Sequence, residues 1–463
     1  MKIDRELKVL IEETALEFSR THNLVQSSKN DYIQELERDN LKCDLVVNCI
    51  SVDDLEPNEL LIKQLYKSTK TINNINKICE IIINKNNLNC YPQDIKCKIY
   101  DMFFILVNHN LELFFSYSSR MDSNFNISNE KLIEVIGTLL KDIRKKILRK
   151  RKFMFPFFMM GLKKDIKLSK SISIIIKTEE HLSDLEREHY MFDRHHEYNA
   201  MMEIEINEKI SYSKGLQFAQ TASILTSNLI NIYAQIDGAK ILPSIPANQS
   251  VVHLYEFHLH SECNDQYSVS SKRNFVYDGK KCEHFWISFL EEITSSESGF
   301  NYMMKIPELS LINTRKRRVV DLLITAIQRF GESISETNYE SRIVKLVTSL
   351  ESIVNFGKEE GITDKFKKRV ESLTKPYHHC FEDIHGHSRD IYDARSTVAH
   401  GSHLSHQLRF DPELFCKKVL MFSIIHFHNF GLDKTSFKRK LPKYIETIPD
   451  AIDDYNKHVE QYK

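Results

Sequence analysis

Ile391-Tyr392-Asp393-Ala394-Arg395-Ser396-Thr397-Val398-Ala399-His400-Gly401 is the stretch that decides how the last third of this chain reads. An arginine and a histidine stand with four residues between them, a serine follows the arginine, and a glycine follows the histidine. Asp390, Ile391, Tyr392 and Ala394 form a helical turn leading into the pair. Gly401 permits a break just past the histidine, because a residue without Cβ enters the left-handed conformation that ends helices. The spacing alone is a weak signal, so the flanking sequence has to carry weight. Downstream, Asp411-Pro412-Glu413 combines a capping side chain, a proline at the first helical position and an acid in the first turn. The helix it opens carries Leu414, Val419, Leu420, Phe422, Ile424 and Phe427, and Gly431 supplies its stop. The motif is therefore expected between two helices.

Upstream lie more helical patterns. Ile343, Leu346, Val347, Leu350, Ile353 and Val354 recur at helical spacing between Thr337 and about Phe356, and a further helix covers Asp364 to Leu373. Another helix, with Val319, Val320, Leu322, Leu323, Ala326, Ile327 and Phe330 on its apolar side, is expected to end at Gly331. Four cations, Arg315, Lys316, Arg317 and Arg318, precede it after a linker over Glu308 to Asn313. Cations at a helix N-terminus oppose the macrodipole, so they are candidates for lining an RNA path, against the alternative of a solvated first turn. Pro376 to His387 reads as a histidine-rich polar loop.

This block resembles the HEPN superfamily, and within it the Apea-like branch. Tyr392, Arg395, Ser396, Val398, His400 and Gly401 follow the family's order, although many catalytic members carry Asn, Asp or His where this chain has Ser396. Leu346, Leu350, Glu351, Ile353 and Val354 match the apolar stripe with a glutamate in the family's preceding helix. The resemblance implies an antiparallel helical bundle and a metal-independent endoribonuclease without cofactor, acting as a symmetric dimer. It further implies a toxin in bacterial anti-phage defence, whose front domains sense a phage-derived trigger.

The remaining two thirds resemble nothing we can name. Leu7, Leu10, Ile11, Leu16 and Phe18, and later Leu132 to Leu148, recur at near-helical intervals, so a helical N-terminal domain is expected over residues 1–165. Its last helix is expected to end in the basic run Lys141 to Lys152, a solvated face or a phosphate- or membrane-binding stripe. From Lys167 the period changes: Ser171 to Ile176, Met202 to Ile206, Val251 to His260 and Phe275 to Tyr277 read as strands around a helix from Gly215 to Tyr233. An α/β middle domain, 166–308, fits that alternation, and the motif-bearing helical domain takes 309–463. The fold class is thus mostly α with an α/β middle part.

Composition bounds the rest. Basic and acidic residues balance at 64 each, so any polyanion must be held by a local patch. Nine cysteines without paired spacing argue for a reducing cytosol. The apolar clusters are far short of the ~20 residues that span a bilayer, and Met1 to Arg20 lacks a signal-peptide core, so a soluble cytoplasmic protein with no membrane partner is expected. Glu256, His258, His260 and Glu262, with Cys263, Cys282 and His284 conceivably near, lack the paired short spacings of zinc sites, and no metal is assigned to them or to the histidine loop. No phosphate-cradling glycine loop or nucleophile elbow is present.

The chemistry then rests on two side chains. An imidazole with an ordinary pKa near ~6.5 serves as acid or base at neutral pH. An always-charged, forked guanidinium suits two phosphate oxygens at once. His400 and Arg395 are the candidate catalytic pair, with Ser396 orienting phosphate or imidazole and Glu351 supporting Arg395. The alternative class is a non-enzymatic nucleotide-binding or dimerisation module on the same fold.

Overall fold

The computed structural model describes residues 5–27, 44–47, 64–108, 127–176, 199–234, 243–246, 255–261, 267–273, 279–294, 299–314, 316–356 and 361–448. The fold is mostly helical, with a small antiparallel sheet. The chain forms two compact units, one of Met1–Arg151 with Ile206–Gln217, the other of Lys152–Glu205 with Phe218–Lys463.

In the first unit, α1 (Arg5–Ser27) is followed by the antiparallel pair β1 (Asp44–Val47) and β2 (Gln64–Lys67), then by α2 (Thr69–Asn86), α3 (Pro92–Asn108) and α4 (Asn129–Asp142). Leu7, Ile11, Ala15 and Phe18 are buried, and Leu10 and Leu16 pack partly buried against the same core, as their helical spacing requires. Ser68 caps α2, accepting from the Thr71 amide at 3.2 Å, and also donates to the Glu17 carboxylate at 2.7 Å.

The basic run does not continue α4. A π-helical turn over Ile143–Ile147, closed by Leu148 N donating to the Ile143 carbonyl at 3.0 Å, converts the chain into strand β3 (Arg149–Met159). The helical period read from Leu132 holds through Ile143, and from Arg149 strand alternation replaces it, with Phe153, Phe157 and Met159 buried at even spacing. With β4 (Ile166–Lys167), β5 (Ile172–Ile176), β6 (Ala200–Ile210) and β7 (Ser244–Pro246) it forms a sheet of order β4-β5-β6-β3-β7. β5 and β6 pair antiparallel, with Ile172 opposite Ile204 and Ile174 opposite Met202, so the buried side chains share one face.

The second unit continues with α5 (Tyr212–Tyr233, which begins in the first unit), the antiparallel pair β8 (Tyr255–Ser261) and β9 (Tyr267–Arg273), α6 (Gly279–Thr294) and α7 (Gly299–Ser310). α7 runs through Pro307 to Ser310, so the first residues of the expected linker are helical. Residues 275–277, expected as a strand, lie outside the described residues.

The motif-bearing helices are α8 (Val319–Ile334), α9 (Tyr339–Val354), α10 (Ile362–Thr374), α11 (Ile384–Ala399) and α12 (Pro412–Phe430). Their buried faces are those of the apolar spacing: Leu323, Ile327 and Phe330 from α8, Leu346, Leu350 and Ile353 from α9, Phe366 and Val370 from α10, Ile391 from α11, Val419, Leu420 and Phe427 from α12. α8 and α9, joined by four residues and packed side by side, form a hairpin whose interior is tied by the Ser349 hydroxyl donating to the Ala326 carbonyl at 2.7 Å. Gly331 does not stop α8, which runs on to Ile334; it is the point where α5 crosses, since a Cβ there would collide with the Asn228 side chain. Among the described residues no helix is long and apolar enough to cross a membrane.

Candidate functional site

The motif occupies the end of α11. Asp383 caps its start, accepting from the Gly386 amide at 2.8 Å, so His385 and His387 lie in the first helical turns and not in a loop. Its other end closes as a Schellman turn: Gly401 N donates to the Val398 carbonyl at 2.9 Å and Ser402 N to the Thr397 carbonyl at 3.1 Å. Gly401 takes φ of +81°, and the space where its Cβ would stand is open, so backbone conformation is what calls for glycine. His400 is thereby left exposed as the residue that caps the helix, directly after Ala399. The chain beyond is pinned back to the start of α9. Leu404 N donates to Glu340 Oε1 at 2.7 Å, His403 Nδ1 lies 3.1 Å from Glu340 Oε2, and Leu408 N donates to the Tyr339 hydroxyl at 3.0 Å.

Arg395 and Glu351 meet across α9 and α11, with Nη2 and Oε2 3.4 Å apart. Burial raises the Glu351 carboxyl above its ordinary value, against the opposing pull of Arg395 and of a hydrogen bond from Tyr392. Tyr392 is itself buried, its ring centroid 4.7 Å from that of Phe366 on α10. A guanidinium offers five N–H donors. One Arg395 donor reaches Glu351 at this long distance, Nε is buried without a partner among the described residues, and the side chain keeps 32% exposure.

Five residues of α-helix advance about 7.5 Å and turn about 140°, so Arg395 and His400 do not stack on one face. Arg395 faces α9 while His400 stands at the exposed helix end. Ser396 is half-buried between them. Of the four cations before α8, Arg315 lies outside the described residues, and Lys316 and Arg317 are exposed. Arg318 is turned inward at 5% exposure, its guanidinium donating to the Leu309 carbonyl at 3.0 Å and pairing with Asp321 at 3.1 Å. It thus ties α7 to α8, a role invisible in a run of like charges.

Among the described residues, no three His, Cys, Asp or Glu side chains gather as a metal-holding group. His385 contacts Glu371 at 2.6 Å and His387 stacks on Phe410 at 4.0 Å between centroids. Glu262 and Cys263, and the side chains of Glu256, His258 and His260, lie outside the described residues. Sequence reading missed His426 of α12, which is buried and held 3.1 Å from the Leu373 carbonyl of α10; the odd polar residue in an apolar helix was the available signal. No family model matches the chain, and no curated protein or solved structure shows a significant match.

Proposed function

We propose that the chain is a metal-independent endoribonuclease. The observation that carries this reading is an exposed histidine at a glycine-closed helix end, five residues after an arginine that commits one donor among the described residues, to Glu351. In the proposed reaction a ribose 2′-oxygen attacks its own phosphorus as a base takes its proton. The bond from phosphorus to the 5′-oxygen breaks, and an acid protonates that leaving oxygen, giving a 2′,3′-cyclic phosphate and a 5′-hydroxyl. Arg395 stabilises the charge gathering on the phosphate oxygens, and Glu351 holds the guanidinium in place. One imidazole cannot be base and acid in the same step, so His400 of a second copy supplies the other role across a two-fold axis. A cytoplasmic effector in anti-phage defence, triggered through the regions before α8, is the biological setting that the family resemblance suggests.

The test is to express wild type and His400→Ala side by side and to map cellular RNA ends. New ends bearing cyclic phosphate should form with the wild type alone. Ends that form equally with His400→Ala would remove the assigned site and favour the assembly-module reading, in which Arg395 and Glu351 merely brace two helices.

A further inference from the structure

A cleft of about 570 Å³ opens between the segment before α8 and the loop after α12. Lys316 and Arg317 line one limb and Lys438, Arg439 and Lys440 the other. The fold builds this meeting deliberately from backbone. Val319 N donates to the Lys434 carbonyl at 3.0 Å and Val320 N to the Leu432 carbonyl at 2.9 Å, which pins the chain leaving α12 against the start of α8. Phe437, 2% exposed, anchors the residues that follow. The five cations are exposed, and among the described residues none pairs with a carboxylate, in a chain whose acids equal its bases in number. Like charges held together beside a helix N-terminus oppose both each other and the macrodipole, and a bound polyanion relieves both.

The chemistry of the rim narrows the polyanion. Beside the cations stand the hydroxyls of Thr435 and Ser436, while Phe437, the one aromatic ring among the described residues that line the cleft, is turned inward. Among the described residues lining the cleft no aromatic face is offered to a base and no apolar group to a bilayer, whereas cations and hydroxyls are the groups that contact phosphates. Position matters as well. Ser349 meets Ala326, so in the antiparallel hairpin Glu351 lies level with about residue 324, roughly 7.5 Å along the axis from Val319 at 1.5 Å per residue. The cleft therefore sits at the end of the hairpin where Glu351 meets Arg395.

We infer that this cleft binds the phosphodiester backbone of RNA, holding the strand at the Arg395–Glu351 end of the helices without reading its sequence. The identity of the polyanion as RNA rests on the ribonuclease reading. Five phosphate contacts on a single strand give a slope of log affinity against log salt near −3.5, and removing three leaves about −1.4. By the same relation each contact is worth about fivefold at 0.1 M salt relative to 1 M, so the loss of three is on the order of 100-fold.

The experiment measures fluorescence anisotropy of a labelled single-stranded RNA of mixed sequence, across a salt series, with full-length His400→Ala as the uncut parent. Adding Lys438→Ala, Arg439→Ala and Lys440→Ala should weaken binding on the order of 100-fold at 0.1 M salt and flatten the slope by about 2. Lys316→Ala with Arg317→Ala should flatten it by about 1.4, and Lys438→Arg with Lys440→Arg should leave it near the parent's. Parental affinity and slope in the triple variant overturn the inference. Cleavage by the wild type that depends on His400, together with unchanged binding by the triple variant, would leave the ribonuclease reading standing and remove the cleft. Cleft-dependent binding by a chain that never cuts would do the reverse. A parent that binds no RNA removes both, and a cleft that instead captures vesicles of phosphatidylserine overturns the inference alone.

Discussion

Burial pushes the Glu351 carboxyl up, and Arg395 is the first group pulling it back. A carboxyl held above its ordinary value contributes stability that is fully present at acid pH and lost as pH rises through the folded value. Arg395→Ala removes the opposing pull, so the variant should melt nearly like wild type in acid and progressively below it toward neutral pH. We expect a deficit of about 1–2 kcal/mol at neutral pH, less than the 3–5 kcal/mol of a fully buried broken pair because both side chains keep some exposure. Adding Glu351→Gln should abolish the pH-dependent part. A deficit of constant size from acid to neutral, read by thermal unfolding, would refute the pairing as the cause. His426 gives the opposite sign. Burial holds its imidazole below the ordinary value, so its contribution is present above ~6.5 and lost as pH falls through the folded value. Melting temperature should fall on acidification in that window, and His426→Leu should flatten that limb even if it lowers stability throughout. His428, whose imidazole burial and Lys305 also hold down, should retain its own share of the limb in that variant.

At the scale of elements, the turn closing α11 places His400, and Gly401 is its hinge. Gly401→Ala meets no steric neighbour but must adopt φ of +81°, costing about 1–2 kcal/mol, while Gly401→Asn should cost less because asparagine tolerates that region. RNA cleavage should drop more in the alanine variant than its melting shift explains; cleavage tracking stability alone would mean that the turn does not position the imidazole. The caps of this region were legible in sequence because each uses a side chain with one dominant role: Asp411 and Pro412 start α12, and Gly431, with φ of +114°, ends it. Gly331 was misread because a glycine that stops a helix and one that admits a neighbour look identical until Asn228 is in place. The basic run from Lys141 to Lys152 was misread for a similar reason, since Leu148 satisfies a helical period while a π turn has already ended the helix. The Arg395–Glu351 contact was anticipated only by resemblance, because 44 residues of separation leave no local pattern. Arg318 carried no signal apart from its three neighbours, as burial of a charge is decided by the carbonyl and carboxylate that receive it.

For the whole molecule, the proposed reaction has two proton transfers, and each chain brings one assigned histidine, His400, to it. Mixing wild type with excess His400→Ala, once the chains are shown to exchange, should therefore lower single-turnover cleavage more steeply than dilution, since each transfer is worth about 10²–10⁴-fold. A decline strictly proportional to the wild-type fraction would mean that each copy works alone. Cleavage should also survive EDTA, because the nucleophile is the substrate's own hydroxyl; loss with chelator and recovery with zinc would sink that scheme. The first compact unit is finished by a return of the chain, residues 206–217, in which Ser211 N donates to the Asn89 carbonyl at 3.0 Å, Ser213 Oγ to Asp94 at 2.5 Å, and Arg151 Nε to the Ile210 carbonyl at 3.1 Å. That discontinuity sets a clock on the ribosome. The 122 residues from Asn89 to Ser211 (211 − 89) take roughly 6–24 s to synthesise at about 5–20 residues per second, and the Asn89 carbonyl, like the Asp94 carboxylate, waits about that long for its partner.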